Sequence, residues 1–399
     1  MSSDPIVIAS YARTPMGGFQ GALAAVKATD LGAVAVKAAV QRAGLSVDGD
    51  GGAIDRIHMG CVLPAGLGQA PARQAALAAG LPRSVQATTV NKMCGSGMQA
   101  AILAYDALAA GTADVIVAGG MESMSNAPYL LTKHRGGARI GHDAVQDSMY
   151  LDGLEDAYEQ GTLMGVFAEK AARMYELSRQ DQDAYALASL TRANEAIASG
   201  AFADEVVPVE VTTRAGTEQV SIDEQPGKAK LDKIPKLKPA FLKDGTVTAA
   251  NSSSISDGAA ALVMTRASVA DKLGLKAVAR VLATSCHAHE PDLFTTAPVP
   301  AMKRAMEKAK WSVADVDLFE VNEAFAVVAM IAMRELSIPH AKLNVNGGAC
   351  ALGHPIGASG ARILVTLIAA LKRRGGKRGV AGICLGGGEA TSIALELVS

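Results

Sequence analysis

A chain of 399 residues is too long for one ordinary core and points to two or three domains. Hydrophobic residues make up 49% of it and aromatics 4%, with abundant Gly and Ala, which suits helices packed closely on sheets. A net charge of −1 argues against nucleic acid or an acidic membrane surface as partner, and five scattered cysteines without CxxC (Cys61, Cys94, Cys286, Cys350, Cys384) point to a reducing, cytoplasmic setting without disulfides.

Met1 to Ser10 lacks the pattern of a signal peptide, and no apolar run reaches the ~18 residues of a membrane span. Ile6 to Tyr11 reads as a buried strand, followed by a loop through Arg13 and Gly17-Gly18. Asp30 is placed to cap a helix running to about Arg42, with Gly44 as its stop. Ile54 to Val62 reads as a strand, Gln74 to Ala79 as a short helix, and Gln86 to Asn91 as the approach to a turn at Cys94-Gly95-Ser96-Gly97. Met98, Ala101, Ile102, Tyr105, Leu108 and Ala109 then recur at helical spacing until Gly111. Cys94 therefore stands at a helix mouth, where the helix dipole is expected to lower a thiol's pKa from about 8.5. A small buried cysteine is the competing reading. Asp114 to Ala118 is a strand ending in Gly119-Gly120, and the strand–helix alternation predicts a parallel sheet covered on both faces.

From Met121 to about Gly245 the pattern changes to an inserted subdomain of helices and loops, with a helix from Ser178 to Ser199 begun by Ser178 and Asp181. Six lysines between Lys228 and Lys243 read either as a solvated face or as a contact for a phosphate-bearing ligand. Asn251 to Ser254 is a polar loop, Asp257-Gly258 a turn and Ala259 to Met264 a core strand. The second half then repeats the first. Ala43-Gly44-Leu45-Ser46-Val47 ahead of Ile54 resembles Ala309-Lys310-Trp311-Ser312-Val313 ahead of Val316, and Val90-Asn91 before the Cys94 helix resembles Val345-Asn346 before a helix opening near Pro355. Duplication places the Cys94 and His354 turns face to face.

Three further motifs carry chemistry. Asn322-Glu323-Ala324-Phe325 follows a strand, where the amide serves either to hold a water or a carbonyl oxygen or as a helix N-cap. His354 lies in Gly353-His354-Pro355-Ile356-Gly357, with Pro355 suited to a first helical turn. Cys384-Leu385-Gly386-Gly387-Gly388 ends a strand with glycines whose N–H groups suit an oxyanion site. Cys350 and His354 have no second close pair, so no metal is expected, and no Gly-x-Ser-x-Gly elbow supports a serine hydrolase.

These motifs, with Gly119-Gly120-Met121-Glu122-Ser123-Met124-Ser125 and Gly347-Gly348-Ala349, make the sequence resemble the thiolase family over essentially its whole length. The resemblance implies an α/β, thiolase-like fold of two duplicated αβαβα halves: residues 1–120 completed by 246–272, a loop domain at 121–245, and 273–399. It implies a Claisen condensation of two acetyl-CoA and its reverse, with coenzyme A thioesters as substrates and no cofactor. By resemblance, Cys94 takes the acyl group, His354 accepts its proton, and Cys384 serves the α-carbon. Asn322 holds a water beside His354, and Gly386 with Cys94 supplies backbone N–H groups. Ser253, Ala249, Ala250 and Lys228 fall at coenzyme A contacts, and Leu163, Met164, Phe294 and Phe325 at the acyl pocket. Leu163 stands where short-chain members often carry His, Phe294 where they often carry Met, and no Arg lies between Asp223 and Phe241. A homo-oligomer, dimer or tetramer, is expected, with the Met-rich Met121 to Leu131 segment as an apolar contact. A degradative 3-ketoacyl-CoA thiolase and a non-catalytic acyl-CoA-binding protein on the same fold are the alternatives.

Overall fold

Residues 4–46, 52–214 and 216–398 are described in a computed structural model; Val47, quoted above for the internal repeat, lies outside them, as do residues 1–3 and 399. The apolar runs assemble into one ten-stranded sheet. Its order is Leu318–Val321, Arg378–Leu385, Glu389–Leu397, Ala279–Ala288, Ile6–Arg13, Ser256–Arg266, Val115–Ser123, Arg56–Gly60, Gln86–Val90, with Gly17–Gly18 pairing beside Ser256–Asp257. Each half is parallel at its outer end and antiparallel inside, and the halves join where Val7 pairs with Arg280 and Ile8 with Ala279.

The sheet is therefore mixed, not parallel throughout. The physical reason is connection length: only Gly386-Gly387-Gly388 join Arg378–Leu385 to the next strand, and a parallel return needs a crossover of a dozen or more residues. Gly387 and Gly388 take positive φ values of 89° and 80°, which suit this tight hairpin.

Two helices, Ser96–Ala109 and Ile356–Arg374, fill a central layer between the sheet halves and share one apolar cluster with Ile8, Ile116, Ile383 and Ile393. Helices Ala28–Arg42 and Pro71–Ala78 cover one outer face, and Pro298–Ala309 and Ala326–Leu336 the other. The observed layering is the αβαβα duplication expected. Among the described residues no helix is long and apolar enough to cross a membrane.

Local expectations fail where glycine or charge was read too locally. Val115–Ser123 continues through Gly119 and Gly120, which pair with Ala261 and Ala260, and Gly120 is needed because a side chain there would meet the Gly357 carbonyl at 2.1 Å. Asp257 and Gly258 pair with Ser123 and Glu122 inside a strand and form no turn. Asp30 sits in the first helical turn after Lys27 and caps nothing, so it acts through the helix dipole. The Ser178–Asp181 capping box is present.

Between the strands at Ser123 and Ser256 lies the inserted region, with helices Met164–Met174 and Arg179–Ala198 and the hairpin Val209–Thr213 to Gly216–Val220. Buried Arg13 ties it to the core, donating to Glu205 at 2.6 Å and to both oxygens of Asp223 at 2.7 and 2.8 Å. Of the apolar side chains in segment 121–131 only those at the far end reach the surface: Met121 and Met124 are buried, whereas Tyr129 and Leu131 are exposed, as are Ile140 and Val145 beyond it.

Candidate active site

Cys94 lies two residues before the Ser96–Ala109 helix, in a turn knitted by side chains. Asn91 Oδ1 accepts from Met93 N at 3.1 Å; Ser96 Oγ donates to the Met93 carbonyl at 2.6 Å and accepts from Lys92 N at 2.8 Å. Met93 is held at φ 46°, strain that an unbranched residue bears directly before the half-buried thiol. The backbone N–H groups of Cys94 and Gly386 both point at the sulfur. Burial nonetheless pushes the thiol up to about 12, so the lowering expected from the helix mouth is outweighed by desolvation.

His354 sits on the opposing turn. Its Nδ1 lies 2.5 Å from Ser359 Oγ, whose own proton goes to the Pro355 carbonyl at 2.9 Å. Ser359 can then only accept, so Nδ1 carries the imidazole proton and Nε2 presents its lone pair. Burial, with the Arg362 charge adding to it, pulls His354 down to about 3 and keeps it neutral. Asn322 Nδ2 is 3.5 Å from Nε2. Asn322 directly follows the strand Leu318–Val321, and Phe325, not Asn322, precedes the next helix. The N-cap reading of Asn322 therefore falls. The polar loop at 251–256 braces both parts: Ser254 O accepts from His354 N at 3.1 Å, and Ser253 N donates to Ala324 O at 2.9 Å.

The first turns of the two central helices are in contact. A side chain at Gly97 would come within 2.8 Å of Ala361 N, and one at Gly360 within 2.4 Å of Met98 N. Ile356 shares a small apolar cluster with Cys94. Duplication thus brings the two turns together as the repeat implied. Cys384 joins from the hairpin: it is wholly buried, its thiol pushed up by desolvation and further by the neighbouring Cys94 sulfur.

Met164, Phe294 and Phe325 share an apolar cluster with Cys384, and Met164 also lies near Gly386. The Phe325 ring packs edge-on against Phe294 at 6.3 Å and against Phe241 at 5.9 Å. Leu163 precedes the Met164–Met174 helix and stands half-buried outside that cluster. A separate cleft of about 320 Å³ is lined by Lys228, Ala249, Ala250, Ser254 and Cys350, with Lys230 and Lys233 at its side; Ser253 is not on its wall. A larger cleft of about 460 Å³ around Trp311 and Arg378 holds none of the candidate residues, and its Arg280 and Arg378 are both paired with Glu396.

Sequence reading gave no role to five residues of this site. Phe241 completes the aromatic wall, its ring seated over Gly165. Buried Glu122 accepts N–H groups from Val62, Leu63 and Gly357, clamping the His354 helix, and desolvation pushes its carboxyl up to about 7. Met93 gave no sign of its strain. Ser359 and Arg362 did leave a signal: with Thr366 they form a polar stripe at spacings three and four on a helix buried from Ile356 to Leu371.

The family description "Thiolase, N-terminal domain" matches residues 6–268, and "Thiolase, C-terminal domain" matches 275–397. "Acetyl-CoA acetyltransferase 2" of Arabidopsis thaliana is 49% identical over 396 residues, 98% of this chain and 97% of that one. "Acetyl-CoA acetyltransferase" of Rhizobium meliloti (strain 1021) is 48% identical over 398 residues, 99% of this chain and 100% of that one. The crystal structure of the Bacillus anthracis acetyl-CoA acetyltransferase superposes with a TM-score of 0.95 at 40% identity, covering 99% of each chain. With a duplicated fold that sets Cys94 beside Cys384 and His354 beside Asn322, and with both family domains matched in order, the chain belongs to the thiolase family.

Proposed function

We propose that this chain is an acetyl-CoA C-acetyltransferase that condenses two acetyl-CoA into acetoacetyl-CoA and free coenzyme A, and runs the reverse thiolysis. The observation that carries the reading is the Cys94 sulfur facing two backbone N–H groups, with the buried Cys384 thiol as neighbour. In acyl loading, His354 Nε2 takes the Cys94 proton as sulfur bonds the acyl carbon; the bond to coenzyme A sulfur breaks, and that sulfur leaves with the proton from Nε2. The acyl oxygen is then served by the Cys94 and Gly386 N–H groups, each such donor typically worth about 3–4 kcal/mol. Cys384, as thiolate, removes an α-proton from the second acetyl-CoA; the carbanion attacks the Cys94-bound acyl carbon and expels the Cys94 thiolate, which takes the proton from the neighbouring Cys384 and so restores both groups. Charge on the second thioester's oxygen falls to the Asn322 side, where Nδ2 carries the N–H groups. Lys228, Ala249 and Ala250 line the cleft read as the coenzyme A path, with Ser253 beside it. No resident cofactor or metal enters any step.

The aromatic wall of Phe241, Phe294 and Phe325 supports a short acyl group, with Met164 and Leu163 toward the loop domain. The reading extends to a cytoplasmic enzyme, supported by five unpaired thiols, and to a homotetramer, supported by the exposed Tyr129, Leu131, Ile140 and Val145. Sedimentation at micromolar concentration tests the assembly, and a monomer overturns it. The central experiment is kcat/KM for acetoacetyl-CoA against longer 3-ketoacyl-CoAs, together with acetyl labelling of the Cys94 peptide. Preference is expected to fall by roughly 10- to 200-fold per added step, and Phe294→Ala to raise the relative rate on the six-carbon substrate. A faster rate on eight or ten carbons, or a Cys94→Ser variant with near wild-type thiolysis, overturns the proposal.

A further inference from the structure

The polar stripe on the buried central helix has one charged member, and the reaction scheme does not use it. Ser359 holds His354, and Thr366 Oγ1 donates to Glu205 at 3.3 Å. Between them stands Arg362, wholly buried. Its Nη2 donates to Asn322 Oδ1 at 3.3 Å, and its Nη1 lies 3.7 Å from Glu320 Oε2. The remaining Nε and Nη1 hydrogens and Glu320 Oε2 have no hydrogen-bond partner. A fully buried guanidinium is costly, and here it stabilises no tight ion pair with Glu320.

What it does engage is one end of an amide that has two unlike ends. An amide offers an acceptor oxygen and a donor nitrogen, whereas a guanidinium offers donors only. Whichever end of Asn322 faces Arg362 must therefore be Oδ1. The nitrogen is then forced to the His354 side, where Nδ2 stands 3.5 Å from Nε2. With a neutral or ambivalent group at 362, only the long 3.5 Å contact to the Nε2 lone pair still favours this orientation, and the amide can turn over and aim its carbonyl dipole at the place where negative charge develops.

We propose that Arg362, held beside Glu320, is a positioning residue that fixes the Asn322 amide with its N–H toward the reacting centre. The inference rests on the acyl-transfer reading above. There the Asn322 side serves the second thioester, while the Cys94 acyl oxygen is served by backbone N–H groups. Loss of Arg362 should therefore slow the α-carbon step and spare acyl loading.

The test measures two partial reactions on the full-length enzyme: acetylation of Cys94 by acetyl-CoA, and exchange of α-protons of acetyl-CoA in deuterium oxide. Arg362→Lys keeps a donor-only group, and Arg362→Gln replaces it with one that can face either end of the amide. Exchange is expected to fall by about 10- to 100-fold in Arg362→Gln and by less in Arg362→Lys, with acetylation within about threefold of wild type in both. In an Asn322→Ala background the same substitutions should change exchange less than about twofold, because the group through which Arg362 acts is gone. If Arg362→Gln does not fold, Arg362→Lys with and without Asn322→Ala decides between the same outcomes. Equal losses in both partial reactions, unchanged exchange, or full additivity with Asn322→Ala overturns the inference. A wild-type enzyme that neither accepts acetyl nor exchanges α-protons overturns the acyl-transfer reading instead.

Discussion

With the Cys94 thiol pushed up to about 12 and His354 pulled down to about 3, both groups are neutral at pH 7, and proton transfer between them waits for a substrate that supplies charge stabilisation. The His354 shift has a consequence for stability. Its folded pKa lies below the unfolded value of about 6.5, so between these values the unfolded chain binds more protons. The stabilisation is complete above pH 6.5 and is lost as pH falls toward 3, at about 1.4 kcal/mol per unit. The buried carboxyls of Glu122 and Glu320, pushed up to about 7 and about 8, work in the opposite sense, so the readout is a difference. Denaturant unfolding at pH 7, 6 and 5 should show wild type losing stability relative to His354→Asn as pH falls. Parallel profiles would show that His354 is not held neutral. Cys384 makes a second case at this scale. Cys384→Ala should still take acetyl onto Cys94 but lose α-proton exchange and condensation; exchange that survives assigns the base elsewhere.

At the scale of elements, the site is a crossing of two helix beginnings. Gly97 and Gly360 have no side chain where the helices touch, and Gly60 and Gly120 leave room for the Gly357 carbonyl. Close approach places the His354 turn against the Cys94 turn, so the glycines set reaction geometry as well as packing. Gly360→Ala puts a methyl 2.4 Å from Met98 N, a backbone atom that cannot rotate away. The expected cost is about 1–3 kcal/mol of stability, read from the denaturant midpoint, and a further fall in kcat from separation of the two turns. Wild-type values for both would show that the contact is soft.

For the whole molecule, Arg13 links the duplicated core to the inserted domain, which supplies Met164 and Phe241 to the pocket. Arg13→Met leaves the Glu205 and Asp223 carboxylates buried and unpaired, at a cost of about 3–5 kcal/mol. Limited proteolysis should then cut faster within residues 204–230, and KM for acetoacetyl-CoA should rise. A variant as protease-resistant as wild type would show that helix Arg179–Ala198, bonded through Tyr185 and Ser189 to Glu323, holds the domain alone.

The duplication, the inserted region and the candidates Cys94, His354, Asn322 and Cys384 were legible in the sequence by itself, because Cys94, His354 and Cys384 sit on short glycine-bordered turns and Asn322 directly follows an apolar strand, all of them local signals. Strand existence was legible from apolar runs. Strand direction was not, since the mixed sheet follows from which strands return through three glycines and which return through a domain. Three-dimensional packing alone decided the charge state of the site: the helix mouth favours a thiolate, but desolvation at a closed helix crossing outweighs it. It also recruited Glu122, Phe241, Ser359 and Arg362. These come from a strand, a loop and a helix distant from the Cys94 turn in the chain, and they acquire meaning only when the halves fold onto each other, because a buried polar group must find its partner through space.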